Sequence, residues 1–173
     1  MEKDAQTGEP REVALARLVR EHQSALNRLC YLSLHDEEMA RDAVQETFLK
    51  AYEALDRFRG DSSEKTWLCS IALNVCRDVR RAKWYRYVDR RITPDMLEHI
   101  ADPTDSGVEL SVAISRLPGR LREAVLLYYY QGMTLEETAE TMHAAKSTVS
   151  VWLRQARERL YITLEGGDDR DGS

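Results

Sequence analysis

Apolar residues recur at helical spacing along most of the chain, which predicts an all-α protein. In the first half, three such stretches span about 11–33, 36–56 and 64–88. The second stretch begins with three acidic residues, which the helix dipole favours in a first turn. A segment rich in turn-forming residues, 57–63, separates it from the third. The pattern predicts an N-terminal domain of three or four helices over residues 11–90.

The helical pattern is interrupted after this domain. Residues 93–107 include two prolines, carry no Lys or Arg and show no clear period, which predicts a linker over residues 91–110. A helix through Arg116, a break at Pro118 and Gly119 and a further helix to about Tyr130 follow. Two shorter helices complete a predicted C-terminal domain over residues 111–163. The tail, 164–173, is predicted to be disordered.

The two shorter helices are typical of a helix-turn-helix. Thr134 and Glu137 have the spacing of a capping box, and the second helix is predicted to begin near Ser147. Apolar residues from Val149 to Leu160 form one stripe of that helix. Its opposite face and first turn carry groups that suit base edges and phosphates, namely Lys146, Ser147, Thr148, Ser150, Val151, Arg154 and Gln155. Plain helical bundles also contain such pairs, but this combination favours DNA binding.

The net charge of −5 argues at first against a nucleic-acid partner, but its distribution argues for one. Residues 67–91 hold seven Lys or Arg against two Asp, and residues 146–160 carry a net +3. Acidic residues are concentrated in the two ends of the chain and in the predicted linker. Two nucleic-acid-facing surfaces fit this pattern. From charge alone, two amphipathic helices with charged outer faces fit it equally well.

Sequence features also limit the chemistry. The chain has no apolar run of membrane-spanning length and no hydrophobic signal segment, which predicts a cytoplasmic protein. Cys30, Cys69 and Cys76 form no CxxC pair and are predicted to be small buried residues in a reducing compartment. The four histidines are scattered, so we expect no metal site and no cofactor.

Two blocks of the sequence resemble one family. Residues 134–160 resemble region 4 of bacterial sigma factors, and residues 42–81 resemble region 2 of their extracytoplasmic-function group. The two resemblances extend over about 12–88 and 110–163. They imply a dissociable specificity subunit that binds core RNA polymerase and recognises promoter −10 and −35 elements. They also imply that it helps to open the duplex by holding the single-stranded non-template strand.

The resemblance assigns a partner to the second predicted helix. One face of this helix places an apolar residue within a polar ring, consisting of Asp42, Gln45, Glu46, Leu49 and Glu53. In the family this face grips the coiled coil of the largest polymerase subunit. Without the resemblance, a solvated acidic face with one stray exposed leucine would be the favoured interpretation.

The resemblance also assigns the −10 contacts. Phe58, Ser62, Ser63 and Asn74 match the positions of the pocket that captures an unstacked base. Phosphate contacts are implied for Arg77, Arg80, Arg81, Lys83 and Arg86, with Trp84, Tyr85 and Tyr87 interleaved to stack at the duplex fork. Trp67 is instead predicted to be a core residue.

Three residues depart from the family pattern. His143 and Ser147 replace glycines that are common in the helix-turn-helix, and Trp152 replaces a basic residue. A histidine can occupy a left-handed turn, since it adopts positive φ more often than most residues do. Trp152 is expected to pack against the preceding helix or to contact a sugar edge. These departures leave the −35 sequence unpredictable.

The resemblance further implies an inhibitor. No counterpart of the inhibitory N-terminal region of primary sigma factors is recognised, so we expect an anti-sigma factor to restrain DNA binding. Such partners are often membrane-anchored, which would hold the protein at the inner membrane face.

Other classes of function fit the sequence less well. An ordinary helix-turn-helix regulator would need a dimerisation or ligand domain, of which the N-terminal half has no signature. A sigma-like decoy would not need the basic helix or Asn74. An enzyme is least favoured, because no nucleophile–base pair, metal cluster or glycine-rich phosphate loop is present, and no small-molecule substrate is expected.

Overall fold

Helices account for all the regular structure in residues 9–89 and 106–165, the part of the chain that this computed structural model describes. The all-α prediction is confirmed there. The helices are α1 (Arg11–Leu34), α2 (Glu37–Ala54), α3 (Glu64–Asp89), α4 (Ser106–Ser115), α5 (Gly119–Val125), α6 (Leu135–Thr141) and α7 (Lys146–Glu165).

The N-terminal domain is a bundle in which α1, α2 and α3 each pack against the other two. Leu26 and Leu29 of α1 and Leu68 of α3 are almost fully buried in its core. Asp36 caps α2, because its carboxylate accepts a 2.8 Å hydrogen bond from the Met39 amide. A short 3₁₀ turn, Leu55–Arg57, extends α2 toward the loop that precedes α3. The three predicted helices are therefore confirmed to within two residues at each end.

The C-terminal domain begins earlier and ends later than the sequence predicts. Helix α4 starts at Ser106, so the last five residues of the predicted linker 91–110 are helical. Ala113 and Ile114 of this helix are buried, and this packing stabilises a helix that Gly107 makes hard to recognise in the sequence. Helix α7 has 20 residues and extends to Glu165, although a shorter helix ending at residue 163 is predicted. The rest of the predicted linker and tail lies outside the described residues.

A π-helical turn, Leu126–Tyr130, follows α5 where the sequence predicts an uninterrupted α-helix. The Gln131 amide accordingly donates to the Leu126 carbonyl at 3.0 Å, five residues back. Leu126 and Leu127 are fully buried, whereas the Tyr129 side chain is half exposed. Hydrophobic periodicity cannot detect such a turn, because a single extra residue shifts the register only locally.

The two domains contact each other directly. Helix α1 packs against α4 and the π-helical turn, and α3 packs against α6. The buried Gln131 side chain donates to the Ala25 carbonyl at 2.9 Å, and its backbone carbonyl accepts from Lys65. The Arg28 guanidinium lies 5.3 Å from the Tyr130 ring centroid. One apolar cluster runs through both domains.

All three cysteines are buried, as predicted, and they are free thiols. Burial raises the pKa of the Cys69 thiol to about 12. No helix within the described ranges is both long enough and apolar enough to cross a membrane.

Candidate protein and nucleic-acid interfaces

The outer face of α2 has the pattern that the sequence predicts. Its five predicted residues, Asp42, Gln45, Glu46, Leu49 and Glu53, are all exposed. The opposite face, which includes Val44, Phe48 and Ala51, is buried in the bundle. Leu49 is 60% exposed and lies among polar side chains. An apolar side chain held in water on a rigid helix is suited to insertion into a partner.

An aromatic pair lies at the junction of α2 and α3. The Phe58 ring stacks on the Trp67 ring with centroids 4.5 Å apart, and both rings are half-buried. A cavity of about 370 Å³ adjoins them, lined also by Arg11, Arg17 and Glu64. Trp67 packs against the core as predicted, but it is in addition a wall of this cavity. The sequence does not reveal that role, because the stacking depends on how the intervening loop folds.

The predicted base-binding residues do not form one pocket here. Ser63 caps the start of α3, since its hydroxyl accepts the Thr66 amide at 3.1 Å. Ser62 is half-buried beside it. Asn74 is exposed, does not line the cavity next to Phe58, and accepts a 2.9 Å hydrogen bond from Arg77. The predicted base-binding site is therefore divided in the structure into an aromatic part at Phe58 and a separate polar part at Asn74.

Two predicted phosphate-binding arginines are paired with the C-terminal domain. The Nε and Nη2 atoms of Arg77 donate to the two oxygens of Glu123 at 2.7 Å each. Arg80 donates to Ser33 at 2.9 Å and lies 3.9 Å from Glu123. Hydrogen bonding to Glu123 raises the pKa of Arg77, whereas burial lowers the pKa of Arg80. The sequence alone did not single out Glu123, although its position in the mostly apolar segment 121–127 was a signal.

Two further predicted phosphate-binding residues of α3 face solvent. Arg81 and Lys83 are exposed, and Arg81 is 3.7 Å from the equally exposed Asp78. The side chains of Trp84, Tyr85, Arg86 and Tyr87 lie outside the described set, so their predicted DNA contacts stay predictions.

The helix-turn-helix has the local geometry that the sequence indicates. Both bonds of the predicted capping box are present, from the Glu137 amide to Thr134 Oγ1 and from the Thr134 amide to Glu137. At the other end of α6, His143 adopts a left-handed conformation with φ +52°. The His143 amide donates to the Glu140 carbonyl, and the Ala144 amide to the Ala139 carbonyl. This is a Schellman motif with histidine at the position that usually takes glycine.

Helix α7 presents the predicted DNA-reading surface to solvent. All seven predicted residues, Lys146, Ser147, Thr148, Ser150, Val151, Arg154 and Gln155, are exposed. The inner stripe of Val149, Leu153 and Ala156 is buried, and Leu160 is half-buried. Trp152 packs against the core, with the Arg120 guanidinium 5.9 Å from its ring centroid. Packing is one of the two roles expected for this departure from the family pattern.

One group of potential metal ligands was not foreseen from the sequence. Ligand atoms of Glu21, His22 and Glu64 lie within 4.8 Å of one another. Both oxygens of Glu64 already accept hydrogen bonds from Arg17 at 2.8 Å. The arrangement is accounted for by this ion pair between α1 and α3.

Comparison with known families decides what these surfaces belong to. The model of Sigma-70 region 2 matches residues 18–86, and that of Sigma-70 region 4 matches residues 107–160. RNA polymerase sigma-H factor of Pseudomonas aeruginosa is 33% identical over 163 residues, which cover 86% of this chain and 84% of the relative. The ECF RNA polymerase sigma factor SigM of Mycobacterium tuberculosis is 32% identical over 152 residues, with 87% and 77% covered.

The chain belongs to the ECF RNA polymerase sigma factors. It is therefore a factor for promoter-directed transcription initiation and not an enzyme. Region 2 corresponds to α1–α3 and region 4 to α4–α7. An ordinary helix-turn-helix regulator is excluded, since region 2 is not shared by that class.

Solved sigma factors share this fold over most of the chain. RpoE of Bartonella quintana, in complex with the anti-sigma factor NepR, superposes with a TM-score of 0.74 at 23% identity and covers 88% of this chain and 97% of its own. CnrH, in complex with the cytosolic domain of CnrY, gives a TM-score of 0.69 at 25% identity, with 94% and 93% covered. Both matches extend across region 2 and region 4.

Proposed function

We propose that this ECF sigma factor binds core RNA polymerase through the outer face of α2. The observation that carries the proposal is Leu49, an aliphatic side chain 60% exposed at the centre of a polar ring. Burying it against a partner removes apolar area from water, and the surrounding Asp42, Gln45, Glu46 and Glu53 supply the polar rim of an interface.

We propose that the −10 element is bound by the loop and α3 as a melted non-template strand. The Phe58 ring supports this assignment as a half-buried aromatic surface beside a cavity, where an unstacked base gains stacking energy. Asn74 offers an exposed amide for hydrogen bonds to a base edge. Arg81 and Lys83 provide phosphate contacts on the same helix, and Ser62 and Ser63 shape the loop.

For the −35 element, we propose that α7 enters the major groove of duplex DNA. The arrangement that supports this is a buried stripe from Val149 to Ala156 with an exposed, mostly polar face opposite it. Arg154 and Gln155 have side chains that make bidentate bonds to guanine and adenine respectively. Lys146, Ser147 and Thr148 lie in the first turn of the helix, where phosphate contacts are favoured.

The core-binding proposal is tested by the double substitution Leu49→Glu with Gln45→Glu in the full chain. We expect binding to core polymerase, measured by co-purification and by competition with another sigma factor, to fall more than about tenfold. Losing one hot-spot residue lowers the binding free energy of an interface by about 2 kcal/mol or more. Val13→Glu is a matched control, because Val13 is 53% exposed on α1, outside the proposed surface. Unchanged core binding by the double variant would remove the assignment.

Transcription in vitro with core polymerase separates an initiating factor from a decoy. An initiating factor produces specific start sites, whose genome-wide positions define the promoter sequence. A decoy binds core polymerase or another partner and yields no specific transcript.

We also propose that an anti-sigma factor holds this protein in the cytoplasm or at the inner face of the membrane. The similarity to RpoE and CnrH, each solved with a protein partner, supports this regulation. Affinity capture of the intact protein from its native cells, followed by reconstitution with the captured partner, tests it. We expect the partner to block core binding, and a captured partner that leaves transcription unchanged would contradict the proposal.

A further inference from the structure

Glu123 is a carboxylate buried at the boundary between region 4 and region 2. Its side chain belongs to α5 and is 2–3% exposed, yet both of its oxygens are bonded to Arg77 of α3. A buried carboxylate is strongly destabilising without a charged partner, so this contact depends on Arg77. The buried charge therefore makes the domain boundary sensitive to whatever else binds Arg77.

On the region 2 side of the boundary, the arginines of α3 form a preorganised site for an oxyanion. Arg77 uses two parallel N–H groups, the geometry with which a guanidinium binds either a carboxylate or a phosphate. Arg80 adds a second positive charge 3.9 Å from the same carboxylate, and its own orientation is held by Ser33 of α1. Asn74 holds the remaining nitrogen of Arg77 at 2.9 Å.

We propose that the Glu123 carboxylate occupies the same place at Arg77 that a phosphate of the −10 strand takes. Binding of the strand at Arg77 and packing of region 4 on region 2 therefore exclude each other. This inference rests on the proposed −10 function of α3. An anionic side chain of the same chain thereby competes with promoter DNA for the same donors. The factor restrains its own −10 surface until the two domains separate.

The rest of the boundary combines apolar packing with polar contacts. The described polar contacts include the Gln131 bonds to Ala25 and Lys65 and the ring of Tyr130 beneath Arg28. When the two domains separate, the Glu123 carboxylate would become hydrated, and the Nε and Nη2 donors of Arg77 would be free to bind a phosphate. A phosphate of the strand then takes the place of the Glu123 carboxylate as the negative partner of Arg77.

The test measures binding of a fluorescent single-stranded oligonucleotide of mixed sequence to the full chain at low salt. A single strand is used because α7 reads duplex DNA. Glu123→Gln keeps the side-chain shape and removes the charge. We expect it to tighten strand binding about tenfold. This is the gain when the open, strand-binding state rises from about a tenth of the population to nearly all of it. Arg77→Ala in the same background should abolish the gain, and small-angle scattering should show a larger radius of gyration for Glu123→Gln.

A second variant covers the case in which Glu123→Gln fails to fold. Gln131→Ala loosens the same boundary without altering the arginines, and it should shift strand binding in the same direction. The competition would be overturned if strand affinity is unchanged in Gln131→Ala, and in Glu123→Gln if that variant folds, while Arg77→Ala binds the strand more weakly. The −10 assignment of Arg77 would then still stand. If Arg77→Ala has no effect in any background, the −10 role of Arg77 is itself wrong.

Discussion

Arg17 of α1 binds both carboxylate oxygens of Glu64, the first residue of α3, at 2.8 Å each. The two side chains are about three-quarters buried, and they join the second turn of α1 to the start of α3. Glu64 directly follows the loop that carries Phe58, Ser62 and Ser63. This ion pair therefore fixes where that loop, which we propose binds the −10 element, meets the bundle.

Glu64→Gln should destabilise the protein in a pH-dependent manner. Hydrogen bonding from Arg17 lowers the pKa of Glu64, so its contribution is complete above the unfolded value of about 4.3 and is lost as pH falls through the lower folded value. We expect the free energy of unfolding in urea to fall by about 1–2 kcal/mol at neutral pH. The variant and the parent should converge only after the pH has fallen below the lowered pKa of folded Glu64.

An exposed ion pair serves as the control for that experiment. Glu37 pairs with Arg41 at 3.1 Å, and both side chains are largely solvent-exposed. Glu37→Gln should change the free energy of unfolding by less than about 0.5 kcal/mol. A difference for Glu64→Gln that stayed constant down to low pH would show that the carboxylate charge is not what stabilises the fold.

Asn74→Ala should impair promoter opening more than initial duplex binding. The amide is exposed on α3, and the role proposed for it is to hydrogen-bond a base that has left the duplex. We expect about a tenfold loss of open complexes, detected by permanganate reactivity, with little change in closed-complex affinity. Asn27→Ala, at an exposed asparagine of α1, is the matched control. The reverse order of effects would argue against base capture.

Arg154→Ala should relax sequence preference at the upstream element. The side chain is exposed on the outer face of α7, and a bidentate bond to a base is worth about 1–3 kcal/mol. Binding to a library of −35 sequences measures this directly. Arg159→Ala, an exposed arginine nearer the end of α7, should leave the preference unchanged. Equal weakening on every sequence would identify Arg154 as a phosphate contact instead.

His143→Gly should stabilise the C-terminal domain. Its φ of +52° is strained for a residue with a side chain, and glycine adopts it without a steric penalty. We expect the free energy of unfolding to rise by about 0.5–1 kcal/mol, measured by thermal or urea unfolding. His143→Ala keeps a Cβ and should not produce the gain. If both variants behave alike, the left-handed turn carries no measurable strain.

Local features of the sequence were sufficient to predict much of the fold. Helical periodicity located α1, α2 and α3, because each buries one stripe of its surface. Thr134 and Glu137 predicted the start of α6, since a capping box needs only neighbouring residues. Leu49 could be singled out as exposed because it lies on the face opposite the buried stripe of α2.

Other features depend on residues distant in the chain. The start of α4 at Ser106 and the π-helical turn depend on packing that local patterns do not encode. Trp67 joins the cavity wall because the loop places Phe58 on its ring.

The sequence by itself determined that the protein is helical, which helix faces are buried, and which residues resemble the sigma-factor surfaces. Only the tertiary structure decided that Arg77 meets Glu123, 46 residues away, because that contact requires region 4 to pack on region 2. Charge patterns along a chain show which residues attract phosphate. Which anion binds them is decided by what the fold brings within hydrogen-bonding distance.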